Sequence, residues 1–308
     1  MPSQPRLVSK VVQPQTVMEG AGVLVRRSFP GRTLDFPDPF LLFDHFGSDD
    51  PQDYLAGFPL HPHRGIETVT YMLSGTVHHR DSIGNSGAIG AGDVQWMTAG
   101  GGILHEEMPQ PVEGKMEGFQ LWVNLPSKLK MTRPRYQEIS ANDVPEVEWE
   151  NGVSVRVIAG CVENVHGPVV GIAADPVYLD VRLAAEARFS IPTIPGHTVL
   201  AYIYHGRADF YTCAEDVIDI TADELPVPAQ FNAPRLLVFS DGDQVTACAG
   251  PQAARFLLMM GKPTGEPIVR YGPFVMNTQQ EIAQALQDLR NGTFVKRPNH
   301  VKREETVS

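Results

Sequence analysis

Cysteine is scarce in this chain. Its three copies, Cys161, Cys213 and Cys248, are far apart, and none forms a C-x-x-C pair. Neither a disulfide framework nor a cysteine-ligated zinc site is indicated, and reduced, mostly buried thiols are expected. Long apolar runs are missing too, so no segment reads as a bilayer span. The stretch Met1 to Gln15 is polar and lacks the apolar core of a secretion signal. An intracellular, cytoplasmic protein without membrane association is therefore expected. Positive charge is in deficit, with 25 Lys and Arg against 36 Asp and Glu and a net charge of −11. Such a chain repels phosphate backbones, which argues against direct nucleic-acid binding. The run Gly100-Gly-Gly102 lacks the Lys-Ser/Thr ending of a phosphate loop. It reads as a tight turn and gives no support for nucleotide binding.

What is present points to β structure. A length of 308 residues suits two domains, each with its own core. The 28 Gly and 26 Pro are spread along the chain like turn punctuation. Apolar stretches within residues 20–47 read as strands, and residues 48–60 as a loop. Further strands are expected at Glu67–Ser74, Thr76–Arg80, Asp93–Thr98 and Gly118–Asn124, with glycine turns between them. Residues 126–152, rich in Pro, Lys and Glu, read as the connection between halves. A second set of strands runs from Val153 to Met260. One helix closes the chain: Thr278-x-x-Glu281 is a capping box, and Ile282, Ala285, Leu286 and Leu289 form an apolar stripe. The tail from Lys296 is charged and reads as disordered. Short strands at regular spacing indicate a sandwich or barrel.

A weak internal repeat supports two similar halves. Tyr71-Met-Leu-Ser-Gly75 matches Tyr202-Ile-Tyr-His-Gly206, and Ala91-Gly-Asp93-Val matches Asp241-Gly-Asp243-Gln. The chemistry sits in two segments, His61-Pro-His63-Arg-Gly-Ile-Glu67 and Gly102-Ile-Leu-His105-Glu-Glu107-Met. Side chains two apart on a strand face the same way, so His61 joins His63 and His105 joins Glu107. Three imidazoles and one carboxylate suit Fe, Mn, Ni, Cu or Zn, and spacing does not separate these. Four protein ligands leave positions open on an octahedral ion, as a catalytic site requires. Glu67 shares the parity of the histidines, so it is either a fifth ligand or an acceptor for a ligand histidine N–H. His78, His79 and Asp81 read as a solvated strand end.

Together these segments resemble the pirin family of the cupin superfamily. The resemblance rests on Asp38-Pro-Phe-Leu-Leu-Phe-Asp44, on the His61 segment, and on Gly92-Asp-Val-Gln-Trp-Met-Thr-Ala-Gly-Gly-Gly-Ile-Leu-His105-Glu-Glu107-Met-Pro109. Leu121-Trp-Val-Asn-Leu125 and Gly272-Pro-Phe-Val-Met-Asn-Thr278 extend it, and it runs from about residue 15 to 292. It implies an all-β protein of two tandem cupin (jelly-roll) barrels with a short C-terminal helix. Residues 1–140 would form the metal-bearing barrel, 141–292 a degenerate barrel without metal, and 293–308 a polar tail. One divalent metal per chain is implied, iron first, with Mn, Ni, Co, Cu or Zn as alternatives, held by His61, His63, His105 and Glu107. Glu67 would fall outside the ligand set, beside it. Aligned on the two repeat matches, the ligands face Pro192, Ile194, Arg255 and Leu257, none of them a metal ligand of the same kind.

The resemblance also implies activity. Some pirins resemble quercetin 2,3-dioxygenases (flavonol 2,4-dioxygenases), so a dioxygenase taking a flavonol or similar aromatic enol and O2 is expected, with Glu107 as base. The alternative is a non-catalytic, metal- or redox-responsive protein that regulates a protein partner. A monomer is expected. Phe58, Met72, Trp96 and Phe119 are candidates for the substrate pocket.

Overall fold

The structure is a computed structural model, and it describes residues 4–212 and 227–295. Cys213 and the tail from Lys296 lie outside those residues. Twelve strands span the first half: β1 Val8–Val12, β2 Gln15–Glu19, β3 Val23–Phe29, β4 Phe40–Ser48, β5 Phe58–His63, β6 Ile66–Ser74, β7 Val77–Asp81, β8 Ser86–Ile89, β9 Val94–Thr98, β10 Ile103–Pro109, β11 Met116–Asn124 and β12 Arg135–Ile139. The second half holds β13 Glu146–Trp149, β14 Val153–Ala159, β15 Cys161–Val162, β16 Val165–His166, β17 Val177–Leu183, β18 Arg188–Pro192, β19 Thr198–His205, β20 Arg207–Thr212, β21 Val227–Asn232, β22 Arg235–Phe239, β23 Gln244–Ala249 and β24 Ala254–Gly261. A hairpin of β25 Val269–Tyr271 and β26 Phe274–Met276 leads into helix α1, Gln279–Arg290.

The first barrel is two facing sheets. One has the order β12-β9-β6-β11-β4-β3-β2 and the other β5-β10-β7-β8. The second barrel repeats this plan inside one larger sheet, β13-β14-β17-β24-β19-β22-β1-β20-β23-β18, with β21 on β20. The run β18-β23-β20-β21 thus corresponds to β5-β10-β7-β8. Two expected connections are partly strand: β5 begins inside residues 48–60, and residues 126–152 hold two further strands. Residues 126–152 contain β12 and β13, whose Arg, Gln and Glu content hid them from an apolar-periodicity reading.

The barrels stand back to back. Tyr71, Trp96, Phe119 and Leu121 of the first pack with Tyr178, Leu200, Tyr202 and Leu257 of the second in one core. Phe43 meets Tyr202 edge-on at 4.8 Å. Each such buried side chain contributes roughly 1.5–3 kcal/mol. Burial on both faces explains why β6 and β9 are buried almost throughout, while β10, with one face outward, alternates.

Each terminus crosses to the other half. β1 lies within residues 1–140, yet it pairs with β22 and β20 of the second barrel. β26 and α1, near the other end, pack on the first barrel, where Phe274, Met276, Ile282 and Phe294 form a cluster with Leu104. The helix has the expected capping box on Thr278 and Glu281. Ile282 and Ala285 are buried and Leu286 is partly so, while Leu289 is exposed.

Candidate metal centre

β5 and β10 are antiparallel neighbours with His61 opposite His105 and His63 opposite Ile103. The register then shifts so that Glu107 faces Phe58, which places a bulge beside the site. Alternation along β10 turns Ile103, His105, Glu107 and Pro109 inward. The outcome is a compact triad. Ring centroids of His61 and His105 are 4.3 Å apart, those of His61 and His63 are 4.8 Å apart, and those of His63 and His105 are 5.0 Å apart. One nitrogen from each ring lies within 4.8 Å of the other two.

The nitrogens are short of partners, as an ion site demands. His61 Nδ1 donates to the Pro59 carbonyl at 2.9 Å, which leaves its Nε2 as a lone pair. That Nε2 faces His63 Nε2 at 3.0 Å. Neither ring nitrogen of buried His105 has a hydrogen-bond partner. Unpaired polar atoms are rare in a protein interior, and a cation shared by one lone pair from each ring would satisfy one of the two His105 nitrogens. Burial first, then the neighbouring imidazoles, holds His63 and His105 well below the ordinary histidine range. Burial lowers His61 as well, against the Pro59 carbonyl. All three are thus held in the neutral form that binds metals.

Glu107 is buried on the same strand face, and Thr70 Oγ1 donates to its Oε1 at 2.9 Å. Burial raises its carboxyl to about 7, against the Thr70 bond. His61, His63 and Glu107 border a cavity of about 470 Å³ whose other walls include Val25, Leu42, Phe46, Phe58 and Trp122. His63 packs edge-on to Trp122, with centroids 5.0 Å apart.

Several expectations change. Glu67 is not beside the histidines. Gly65, at φ +80, turns the chain between β5 and β6, which join different sheets, so strand parity does not carry across. Glu67 is buried with its Oε1 accepting from Thr98 at 2.8 Å. His79 and Asp81 are buried rather than solvated. They sit on β7 opposite Glu107 and His105, and only His78 of that group is exposed. His79 stacks on Tyr136 at 4.8 Å, with its centroid 5.5 Å from that of His105. Of the four candidate pocket residues, Phe58 lines the cavity. Met72 is core beneath it, while Trp96 and Phe119 face the second barrel. Trp122 was the missed wall residue. It differs from Phe119 by odd spacing on β11, so the two point to opposite faces.

The C-terminal segment also reaches the site. Arg270, Gly272 and Pro273 border the cavity. The Pro273 carbonyl acts on the His63 ring, though Nδ1 makes no well-formed hydrogen bond. Next to the ligand strand, buried Arg64 pairs with Asp288 of α1 at 2.7 Å and lies over the Phe294 ring. Two glycines make room for this segment. A Cβ on Gly65 would stand 2.0 Å from the Val275 carbonyl, and one on Gly102 would stand 2.5 Å from that of Phe294. The triple-glycine run therefore does more than turn the chain.

Comparison with known proteins bears on the family and the fold. The Pirin family model matches residues 22–123, and that of the pirin C-terminal cupin domain matches residues 178–295. The chain belongs to the pirin family. A pirin-like protein of Caulobacter vibrioides is 42% identical over 96% of this chain and 100% of its own length. A Pseudomonas aeruginosa protein, provisionally named a quercetin 2,3-dioxygenase, is 45% identical over 90% of this chain and 93% of its own. The crystal structure of a quercetin 2,3-dioxygenase from Acinetobacter baumannii superposes with a TM-score of 0.79. It is 35% identical and covers 94% of this chain and 98% of that one. No helix among the described residues of this pirin is long and apolar enough to cross a membrane.

Proposed function

We propose that this pirin is a metal-dependent dioxygenase that opens a flavonol such as quercetin, using one divalent ion held by His61, His63, His105 and Glu107. One observation carries the reading: three imidazoles held neutral by burial cluster beside an apolar cavity, and buried Glu107 faces inward from the same strand as His105. At about 470 Å³ the cavity falls in the range of small-molecule sites, roughly 300–1,000 Å³. Two relatives bearing the quercetin 2,3-dioxygenase name, at 45% and 35% identity, support it. Iron is the first expectation, while Mn, Ni, Co, Cu and Zn suit the same donors.

A bound ion supplies Lewis acidity toward an enolic oxygen and a centre for O2 chemistry. The protein does the rest. Thr70 fixes Glu107 Oε1, leaving Oε2 to take the substrate hydroxyl proton. Phe46, Phe58 and Trp122 offer flat apolar walls that hold a planar ring and exclude water. The test is to purify without chelator and measure metal by mass spectrometry. Aerobic loss of the quercetin absorbance band is then followed with added iron, manganese, nickel, cobalt or copper. Turnover with at least one metal is expected. Inertness with all of them overturns the reading and leaves a metal-responsive binding protein in its place.

A further inference from the structure

The cavity is apolar except at two places: the metal-binding floor and a charged wall. That wall holds Glu19, Arg27, Asp44 and Arg270. Three of the four are committed to one another. Arg27 donates to both oxygens of Asp44, at 2.8 and 2.6 Å, and to Glu19 at 2.5 Å. Arg270 is different. Its Nε donates to the Gly272 carbonyl at 3.0 Å, and its guanidinium lies over the Trp122 ring, 5.1 Å from the centroid. Among the described residues it forms no ion pair, and Nη1 and Nη2 make no hydrogen bond. Burial and then Arg27 act against its charge, while Glu19, Asp44 and Asp35 support it only through space. The chain thus presents a clamped cation with two free donor nitrogens on the wall formed by Trp122, the ring that also packs against His63.

From this arrangement we infer that Arg270, delivered from the C-terminal segment, is the anion-recognising residue of the pocket, selecting planar aromatic ligands that carry a negatively charged oxygen. The inference rests on reading the cavity as the substrate site. The fork of a guanidinium suits a carboxylate or enolate oxygen, and Trp122 below it fixes the fork's plane. A flat ligand against Trp122 would place one edge toward the histidines and another toward Arg270. It also gives the crossing of the C-terminal segment onto the first barrel a chemical role: the second half supplies the charge that the first barrel's own strands spend on Glu19 and Asp44.

The test uses metal-loaded protein, titrated separately with 2-naphthoate and with its neutral amide, 2-naphthamide, and read by tryptophan fluorescence quenching. The parent is expected to bind the anion more tightly than the amide. At equal metal content, Arg270→Gln is expected to weaken 2-naphthoate roughly ten- to hundredfold and leave 2-naphthamide nearly unchanged. Arg270→Lys, which keeps the charge and loses the fork, should fall between. Equal weakening of both probes, or unchanged 2-naphthoate binding, overturns the inference. So does a parent with no preference for the anion, whatever the variants do. Neither probe needs turnover, so inertness toward quercetin would sink the dioxygenase reading while leaving this result to stand by itself.

Discussion

The two barrels place opposite chemistry at the same point in one plan. In the first, β5 and β10 turn His61, His63, His105 and Glu107 toward the interior. In the second, the corresponding β18 and β23 turn Phe189, Ile191, Val245, Ala247 and Ala249 into an apolar core completed by Phe210, Phe256 and Leu258. Neither β18 nor β23 carries a His, Asp or Glu. The difference teaches what each interior is for. One keeps a cavity and unpartnered nitrogens at a cost in folding energy, and the other fills the same space and recovers that energy.

The largest effect that sharpens this contrast is on turnover. Under the proposed reaction, Glu107→Gln should lower quercetin consumption by roughly 10²–10⁴-fold, as removal of a general base does, with less loss of metal. Turnover at matched metal loading checks it, and a parental rate would break the assignment. In the second barrel the same kind of change should strike stability. Phe189→Ala is expected to cost about 3–5 kcal/mol in denaturant unfolding while leaving metal content as in the parent. Loss of metal there would show that the barrels are not separable in this way.

Between the barrels the relevant carboxylate is Glu67. Burial pushes its carboxyl up from 4.5 to about 7, against the hydrogen bond from Thr98 and the nearby Trp96 N–H, which makes no well-formed bond. The unfolded chain releases this proton earlier. The stability linked to the protonated carboxyl is therefore complete below pH 4.5 and lost as pH rises through about 7. Glu67→Gln should remove roughly 3 kcal/mol of that decline, seen as a flatter dependence of unfolding free energy on pH over the window. An unchanged slope would show that Glu67 ionises freely in the fold. The smallest expected effect is at Thr70. Thr70→Val frees Glu107 Oε1 and should reduce activity by roughly tenfold, the low end for a residue that orients a metal-site group.

Much of this was legible in the residues. Strand spacing, the capping box on Thr278 and the pairing of His61 with His63 follow from local patterns that local structure obeys. The Tyr71 and Tyr202 segments do sit on corresponding strands, β6 and β19. The Asp93 and Asp243 match does not correspond. Asp93 precedes β9, whereas Asp243 precedes β23, the counterpart of β10. Arg255 and Leu257 consequently lie on β24, the counterpart of β11, and the residues that replace the ligands are the apolar ones of β18 and β23. Glu67 and Trp122 were misplaced or missed for a related reason. Which face of a strand looks into a barrel is set by turns such as Gly65 and by which sheet the strand joins. The passage of Arg270 to the first barrel had no local signal at all, because it depends on a chain crossing fixed by long-range contacts at Val275 and Phe294.

The central claim is that the metal chemistry belongs to the first barrel alone, through its histidine triad. Metal per chain, measured by mass spectrometry after loading and desalting, tests it most directly in the parent and in His105→Ala. The account predicts one ion per parent chain and a near-empty His105→Ala protein whose circular dichroism is that of the parent. Two tightly held ions per parent chain, or full loading of His105→Ala, would contradict it.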